Sequence, residues 1–329
     1  MNRLTHTNST LPLIDSLDVN TLTSGEHKFN FAVATNALGQ WQMLPVRVFK
    51  GEKPGKRVVI TAGVHGDEQS GVVSALKIAN RLVDQELAGC VTIVPTLNPT
   101  GILHHSRNFY PVDPDTSPSN MNRFFPGKAE GNEVERYIHT LWSKLLLPNA
   151  DLAIDLHTQT TGTTYPLYVF ADYRVSEAKE MARLLNPDAI LDDPGETGVL
   201  ETTWNEHGVP SITVEVGAGR YTDAALIART VDGVMNILTA HHVISGEPSN
   251  LKPCVEGRDI VSVKATQGGF VEAHVELLQT VRQGDLLATQ LDSFGDRVEE
   301  YFAPCDATVL SHNVEALRAP GSLIVRLIK

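Results

Sequence analysis

Cysteine is scarce and unpatterned in this chain. Cys90, Cys254 and Cys305 are widely spaced among 329 residues, and no C-x-x-C pair occurs. An odd, dispersed set argues against a disulfide framework or a thiolate zinc knuckle. Reduced, mostly buried thiols that act as small hydrophobes are expected. Long apolar runs are missing as well: none approaches the roughly 20 residues that a membrane-spanning helix needs. The N-terminal stretch MNRLTHTNSTLPLIDSLDVN shows no basic segment followed by a continuous apolar core. No signal peptide is expected, and the expected location is cytoplasmic. Positive charge is in deficit, the formal net charge being −12. Nucleic acid and anionic membrane both require a basic surface, so neither is expected as a partner. A small anionic substrate remains compatible, because a few arginines in a cleft override the global charge locally.

What is present is ordinary globular composition, 42% apolar and 20% charged, at a length that suits one large domain plus a small one. Residues 1–25 are polar and read as a loosely ordered lead-in. Alternating runs such as FNFAVA and LPVRVF, between about 28 and 50, predict antiparallel strands at a sheet edge. RVVITAG (57–63) then reads as a buried strand. Val72, Val73, Leu76, Ala79, Leu82 and Val83 follow at helical spacing within 68–87. CVTIVPTL (90–97) predicts another strand. Residues 98–131 read as a long loop carrying Pro99, Pro111, Pro114, Pro118 and Pro126, and a loop of that length in a compact domain is usually functional. A helix at 132–147, strands at DLAIDLH (151–157), LYVFA (167–171) and SITVEV (211–216), and helices at 176–185 and 223–240 complete an α/β pattern with a parallel or mixed sheet. From about residue 256 helical periodicity ends. GGFVEAHV, QGDLLATQL, ATVLSH and GSLIVRLI predict a small all-β barrel or sandwich. The expected domains are therefore 1–250 and 251–329.

The sharpest local signal is Gly63-Val64-His65-Gly66-Asp67-Glu68, at the end of a strand and the start of a helix. Ligands collect at strand ends of open α/β sheets, and the flanking glycines permit tight turns. His65 and Glu68 would reach one ion together. Asp155-Leu156-His157 ends another buried strand, and His157 is the candidate third ligand. Three protein ligands with a fourth position open to water describe a catalytic zinc site, although nitrogen and oxygen donors also suit cobalt, manganese or iron. Asp155 lies on the same side of its strand as His157 and is expected to orient a ligating histidine.

The long loop contributes Arg107 and then Asn122-Arg123, a pair able to clamp a carboxylate. An arginine near the metal would polarise a scissile carbonyl. Glu215 sits inside an apolar strand, where a carboxylate is costly unless paired or functional. Beside a metal site it would take a proton from water and deliver it to a leaving nitrogen. Arg220 and Tyr221 follow closely and are candidate pocket residues. His104-His105 and His241-His242 read as structural, the latter pair at a helix C-terminus.

GVHGDE, NMNRFFPG, DLHT and TVEVG together resemble the succinylglutamate desuccinylase/aspartoacylase family, relatives of zinc carboxypeptidases, over about residues 40–240. The resemblance implies a zinc-carboxypeptidase-like mixed eight-stranded sheet flanked by helices. It implies one zinc per chain on His65, Glu68 and His157, Arg107 as the carbonyl-polarising arginine, Asn122 and Arg123 on the substrate carboxylate, and Glu215 as general base and acid. Many relatives carry an acidic residue where Asn120 stands here. The C-terminal segment resembles biotinyl- or lipoyl-type folds, yet its expected hairpin tip, Pro304-Cys305-Asp306-Ala307, holds no lysine for a carrier to modify. It reads instead as a cap that favours small substrates.

The expected function is hydrolysis of the amide bond of a small N-acyl amino acid or related amine. A carboxypeptidase acting on peptides is the alternative, and a catalytically silent binding protein comes third. The expected partner is a small molecule; a homo-oligomer is left open.

Overall fold

The computed structural model describes residues 11–249 and 251–329. A single large sheet organises the first three quarters of the chain. Its strands are β1 (Leu13–Ile14), β2 (Gly25–Thr35), β3 (Trp41–Lys50), β4 (Lys53–Ala62), β5 (Ala88–Val94) and β6 (Leu152–Gln159). A two-residue β7 (Thr163–Thr164) lies outside it; β8 (Leu167–Ala171), β9 (Ala189–Asp192), β10 (Ser211–Ala218) and β11 (Val255–Gly257) complete it. The order is β1-β2-β3-β5-β4-β6-β10-β8-β9-β11, so the sheet has ten strands rather than the expected eight. The excess lies at the margins: β1 has two residues and β11 three. The centre, β5-β4-β6-β10, is parallel, whereas β3 and β8 join it antiparallel. Central strands covered on both faces read as continuous apolar runs. β3 alternates, with Leu44, Val46 and Val48 buried, whereas β2 departs from the expected alternation and buries Phe31, Ala32 and Val33 in succession.

Helices α1 (Gln69–Arg81), α2 (Pro99–Leu103), α3 (Glu133–Leu141), α4 (Ser176–Leu184), α5 (Leu200–Glu206) and α6 (Ala224–Ala240) fill the connections. Two cores result, one on each face. Ile78, Met181 and Ile237 from α1, α4 and α6 pack with Ile60, Ile154 and Ile212. Tyr137, Leu141 and Trp204 from α3 and α5 pack with Phe31, Val59 and Ala153. Helix α3 starts on a full capping box, Asn132 with Glu135, which satisfies orphan backbone donors at both positions. The proline-rich stretch is not structureless. Asn98 accepts from the Gly101 backbone and Pro99 occupies the first turn of α2, the position where a missing N–H does no harm. β9 and α5 were not legible as elements in the sequence, being four and seven residues long.

Part of the expected lead-in is firmly docked. Residues 1–10 lie outside the described residues, but Leu17 and Val19 are buried. Asn149 holds them: its Oδ1 accepts from the Val19 amide at 2.9 Å, and its Nδ2 donates to the carbonyls of Leu17 and Leu145 at 2.8 and 2.7 Å. Asn149→Ala strands three buried backbone groups. It is expected to lower stability by about 2–3 kcal/mol, since each orphaned group costs roughly 1–3 kcal/mol and relaxation recovers part. A urea midpoint equal to that of the wild type would refute the clamp.

The C-terminal strands form two antiparallel sheets. β12 (Ile260–Lys264), β19 (Leu323–Ile328), β17 (Ala307–Asn313) and β14 (Thr280–Val281) make one; β16 (Arg297–Phe302), β15 (Leu286–Leu291), β13 (Gly269–Ala273) and β18 (Leu317–Arg318) make the other. Leu287, Tyr301, Val309 and Leu327 from both sheets share one core. The first sheet also captures β7, through His312↔Thr164 and Asn313↔Thr163, which ties this region to the segment after β6. No helix among the described residues is long and apolar enough to cross a membrane.

Candidate active site

Strand β4 delivers the chain to Gly63, whose φ of +70° turns it sharply out of the sheet. Gly66 then passes so close to α2 that a Cβ would lie 1.9 Å from the Gly101 carbonyl carbon; no other residue fits without moving one of the two segments. This turn places His65 and Glu68 at the N-terminal end of α1. Glu68 occupies the N-cap position but makes no capping bond. Its carboxylate points instead across the strand ends to His157, at the C-terminal end of β6.

Three side chains converge there. The Nδ1 atoms of His65 and His157 are 3.2 Å apart. Glu68 Oε1 lies 2.8 Å from His65 Nδ1, and Glu68 Oε2 lies 2.8 Å from His157 Nδ1. All three residues are buried, and together they could hold a metal ion. Two nitrogens at about 2.0–2.1 Å from a tetrahedral zinc stand roughly 3.3 Å apart, so the observed spacing fits that ion. Backing partners fix both rings. Asp155 Oδ2 is 2.5 Å from His157 Nε2 and Thr61 Oγ1 donates to Asp155 Oδ1 at 2.7 Å. Asn120 Oδ1 accepts at 2.9 Å from His65 Nε2. With the outer nitrogen of each ring engaged by an acceptor, both Nδ1 atoms are left to the centre.

Electrostatics point the same way. Burial alone would raise the Glu68 carboxyl, but His65 and His157 outweigh it and hold the group well below the usual carboxylate range. Burial alone would lower His157, yet Asp155 and Glu68 push it well above the usual histidine value. Four ionisable groups packed this tightly favour positive charge at their centre.

Glu215 of β10 stands beside His157 in register. Gln159 Nε2 donates to its Oε1 at 2.8 Å, while Oε2 is buried with no partner among the described residues. Burial pushes its carboxyl up to about 8, and the neighbouring Glu68 carboxylate adds to the rise against His157 and Arg107. Arg107 donates to Glu68 Oε1 at 2.7 Å. The buried Asn122 spends its Oδ1 on the Leu200 amide at 2.8 Å, and Arg123 lies 3.4 Å from Glu196. A cavity of about 280 Å³ is lined by His65, Glu68, His157, Arg107, Asn122, Arg123 and Glu215. The expected metal ligands, Arg107, Asn122, Arg123 and Glu215 thus line one cavity, and Asp155 sits behind His157.

Other candidates fall elsewhere. Arg220 donates to the His105 carbonyl at 3.0 Å and Tyr221 is 65% exposed, so neither lines the cavity. His104 stacks on Tyr110, with ring centroids 4.4 Å apart, and bonds the Thr100 carbonyl. His241 closes α6. Gln159 and Glu201, both cavity residues, escaped the sequence reading. Gln159 follows DLHT with no spacing signal of its own, whereas Glu201 is an acid beside apolar positions and was overlooked with α5.

The sequence model of the succinylglutamate desuccinylase/aspartoacylase catalytic domain matches residues 54–241. An N-alpha-acetyl-L-2,4-diaminobutyric acid deacetylase of Halomonas elongata is 28% identical over 317 residues, covering 91% of this chain and 90% of that protein. A succinylglutamate desuccinylase of Pseudomonas paraeruginosa is 27% identical over 182 residues, 50% of this chain and 52% of the other. Among solved structures, the product-bound ectoine utilization protein EutE (DoeB) of Ruegeria pomeroyi superposes with a TM-score of 0.80 at 24% identity, covering 93% of this chain and 96% of that one. That likeness speaks for the fold. The family match spans more than half of the sequence and contains every residue of the convergent centre: the chain belongs to the succinylglutamate desuccinylase/aspartoacylase family.

Proposed function

We propose that this protein is a zinc-dependent hydrolase that removes the acyl group from a small N-acyl amino acid, with one zinc per chain on His65, Glu68 and His157. The observation that carries the reading is the convergence of these three side chains beside a carboxylate, Glu215, whose buried Oε2 has no partner among the described residues. Zinc in such a site supplies a Lewis acid and brings the pKa of water to about 7.

The side chains divide the remaining work. Glu215 takes the proton of the attacking water on its free Oε2 and later returns it to the leaving nitrogen. Gln159 holds the other oxygen and so fixes the direction of the free one. Arg107, tethered by Glu68, places its remaining N–H groups toward the acyl oxygen, where negative charge develops. Asn122, with its Oδ1 engaged by the Leu200 amide, has its NH₂ group to offer; with Arg123 it holds the substrate carboxylate. Asp155 keeps His157 in its ligating orientation. A cavity of about 280 Å³ suits an acylated amino acid better than a peptide. We assign the catalytic unit to residues 1–250 and a capping β module to 251–329, with β11 as the strand that carries the chain from one into the other.

The test is a hydrolysis screen of acetyl-, succinyl- and longer-acyl amino acids beside short peptides, with and without chelator. Small N-acyl amino acids are expected to be cleaved, with activity lost on chelation and restored by zinc. Cleavage of peptides alone, or turnover indifferent to chelator, would overturn the proposal.

A further inference from the structure

Strand β19 runs along the contact between the C-terminal strands and the large sheet. Ile328 packs there with Leu310, Tyr165 and Tyr168. Strand alternation puts Arg326 on the same face as Ile328, whereas Val325 and Leu327 point into the core shared by the two C-terminal sheets. The Arg326 guanidinium lies over the Tyr165 ring, 5.9 Å from its centroid. Its Nη1 donates to Gln159 Oε1 at 3.4 Å. Among the described residues no carboxylate pairs with Arg326, and its Nε is buried without a partner.

An arginine is a poor choice for joining two apolar surfaces. One long hydrogen bond and a ring face offset its desolvation only in part, and a well-packed apolar residue would join them as firmly. Its partner gives the reason for it. Gln159 has a single side-chain amide, whose Nε2 donates to Glu215 Oε1 at 2.8 Å. Turned over, that amide would set its oxygen against the Glu215 carboxylate. Arg326 offers donors only, so it takes the amide oxygen and leaves the NH₂ group for Glu215. Gln159 lines the cavity, and Arg326 stands behind it. The backbone beyond Gln159 is held by the same C-terminal strands. β17 pairs with β7, and the Gly162 carbonyl accepts from the Val314 amide at 3.0 Å and from Arg318.

We infer that Arg326 is a positioning residue for Glu215: it fixes the Gln159 amide so that its NH₂ group engages one oxygen of Glu215 and the other stays free. This rests on the deacylase reading above and deepens it, because the C-terminal strands then supply part of the support of the acid/base rather than a cover alone. Without Arg326 the amide turns over, and Glu215 is away from the geometry of proton transfer for part of the time.

The experiment measures kcat and KM of the zinc-loaded full chain on the N-acyl amino acid it cleaves best, for Arg326→Met, Arg326→Lys, Gln159→Ala and the double variant Arg326→Met/Gln159→Ala. Arg326→Met is expected to lose about 10-fold in kcat, the worth of one hydrogen bond to a charged group, with KM and zinc content unchanged. Arg326→Lys keeps a cation that only donates and should stay within about threefold of wild type. In the Gln159→Ala background Arg326→Met should cost less than about twofold, because residues that act through one shared contact are not additive. Crystal structures of the wild type and of Arg326→Met give a readout independent of turnover: the contact between Gln159 and Glu215 should persist in the first and be lost in the second. An unchanged kcat, a loss carried by KM alone, Arg326→Lys as slow as Arg326→Met, or a full Arg326→Met loss in the Gln159→Ala background would overturn the inference and leave the deacylase reading intact. If Arg326→Met does not fold, Arg326→Gln takes its place; its amide can present either atom, so activity equal to that of Arg326→Lys overturns the inference as well. If no N-acyl amino acid is cleaved, the deacylase reading fails, and the crystal structures still decide whether Arg326 fixes Gln159 on Glu215.

Discussion

Glu215→Gln is expected to keep its metal and lose about 10²–10⁴-fold in kcat, the range typical of a removed general acid/base. Glutamine has the same shape and can still accept from Gln159, so the packing around β10 should not change. What disappears is the ability to take and return a proton at the buried oxygen that no other group among the described residues engages. A pH profile sharpens the test. The Glu215 carboxyl is pushed up to about 8, first by burial and then by the Glu68 carboxylate. A base must be ionised to act, so the rate should rise with pH through this group's pKa. A bound cation offsets the Glu68 contribution, which places the rising limb below about 8. The glutamine variant should lack that limb altogether. A kcat close to wild type, or an unchanged rising limb, would move the base elsewhere. Loss of zinc together with activity would assign Glu215 a supporting rather than a catalytic place.

The candidate metal centre was legible in the sequence because its geometry is local. Glycines at 63 and 66 flank His65, and the alternation of a strand puts Asp155 and His157 on one side; both facts are visible in short windows. That β4, β6 and β10 lie next to one another is not local, yet three apolar runs ending in polar residues have few other places to go in an open α/β sheet. The partners of the site were harder to find. Gln159 and Asn120 act through side-chain bonds to residues 56 and 55 positions away; nothing around Gln159 marks it, and the motif that contains Asn120 carries no sign of its bond to His65. Glu201 was invisible for a related reason: α5 is too short for a helical period to declare itself, so its acid could not be placed on any face. The edges of the sheet went uncounted because pairs of two or three residues follow from tertiary docking. The same holds for residues 11–25, whose polar composition conceals a clamp supplied by Asn149 from 130 residues away.

His65→Ala should reduce zinc from about one per chain to near zero after dialysis, with turnover lost in parallel. Two ligands, Glu68 and His157, remain, and a pair cannot close the coordination that three make. Groups that only orient a ligand are worth about 10–100-fold in metal affinity, so loss of a ligand itself is expected to exceed 100-fold. Zinc affinity of the wild type should also tighten as pH rises. His157 is held well above the usual histidine value, with burial opposing and Asp155 and Glu68 prevailing. It must shed its proton to ligate, so metal and proton compete and acid favours release. A stability readout separates metal loss from misfolding. Zinc at 100 times its dissociation constant should stabilise the wild type by about 2.7 kcal/mol, and His65→Ala should show no such response while keeping the cooperative unfolding of the metal-free wild type. Alanine at 65 leaves Arg107 on Glu68 and Asp155 on His157, so the remaining charges stay paired and the chain has no reason to unfold. Full zinc retention by the variant would refute the assignment of the centre; an unfolded variant would shift the decision to the wild-type response to zinc and chelator.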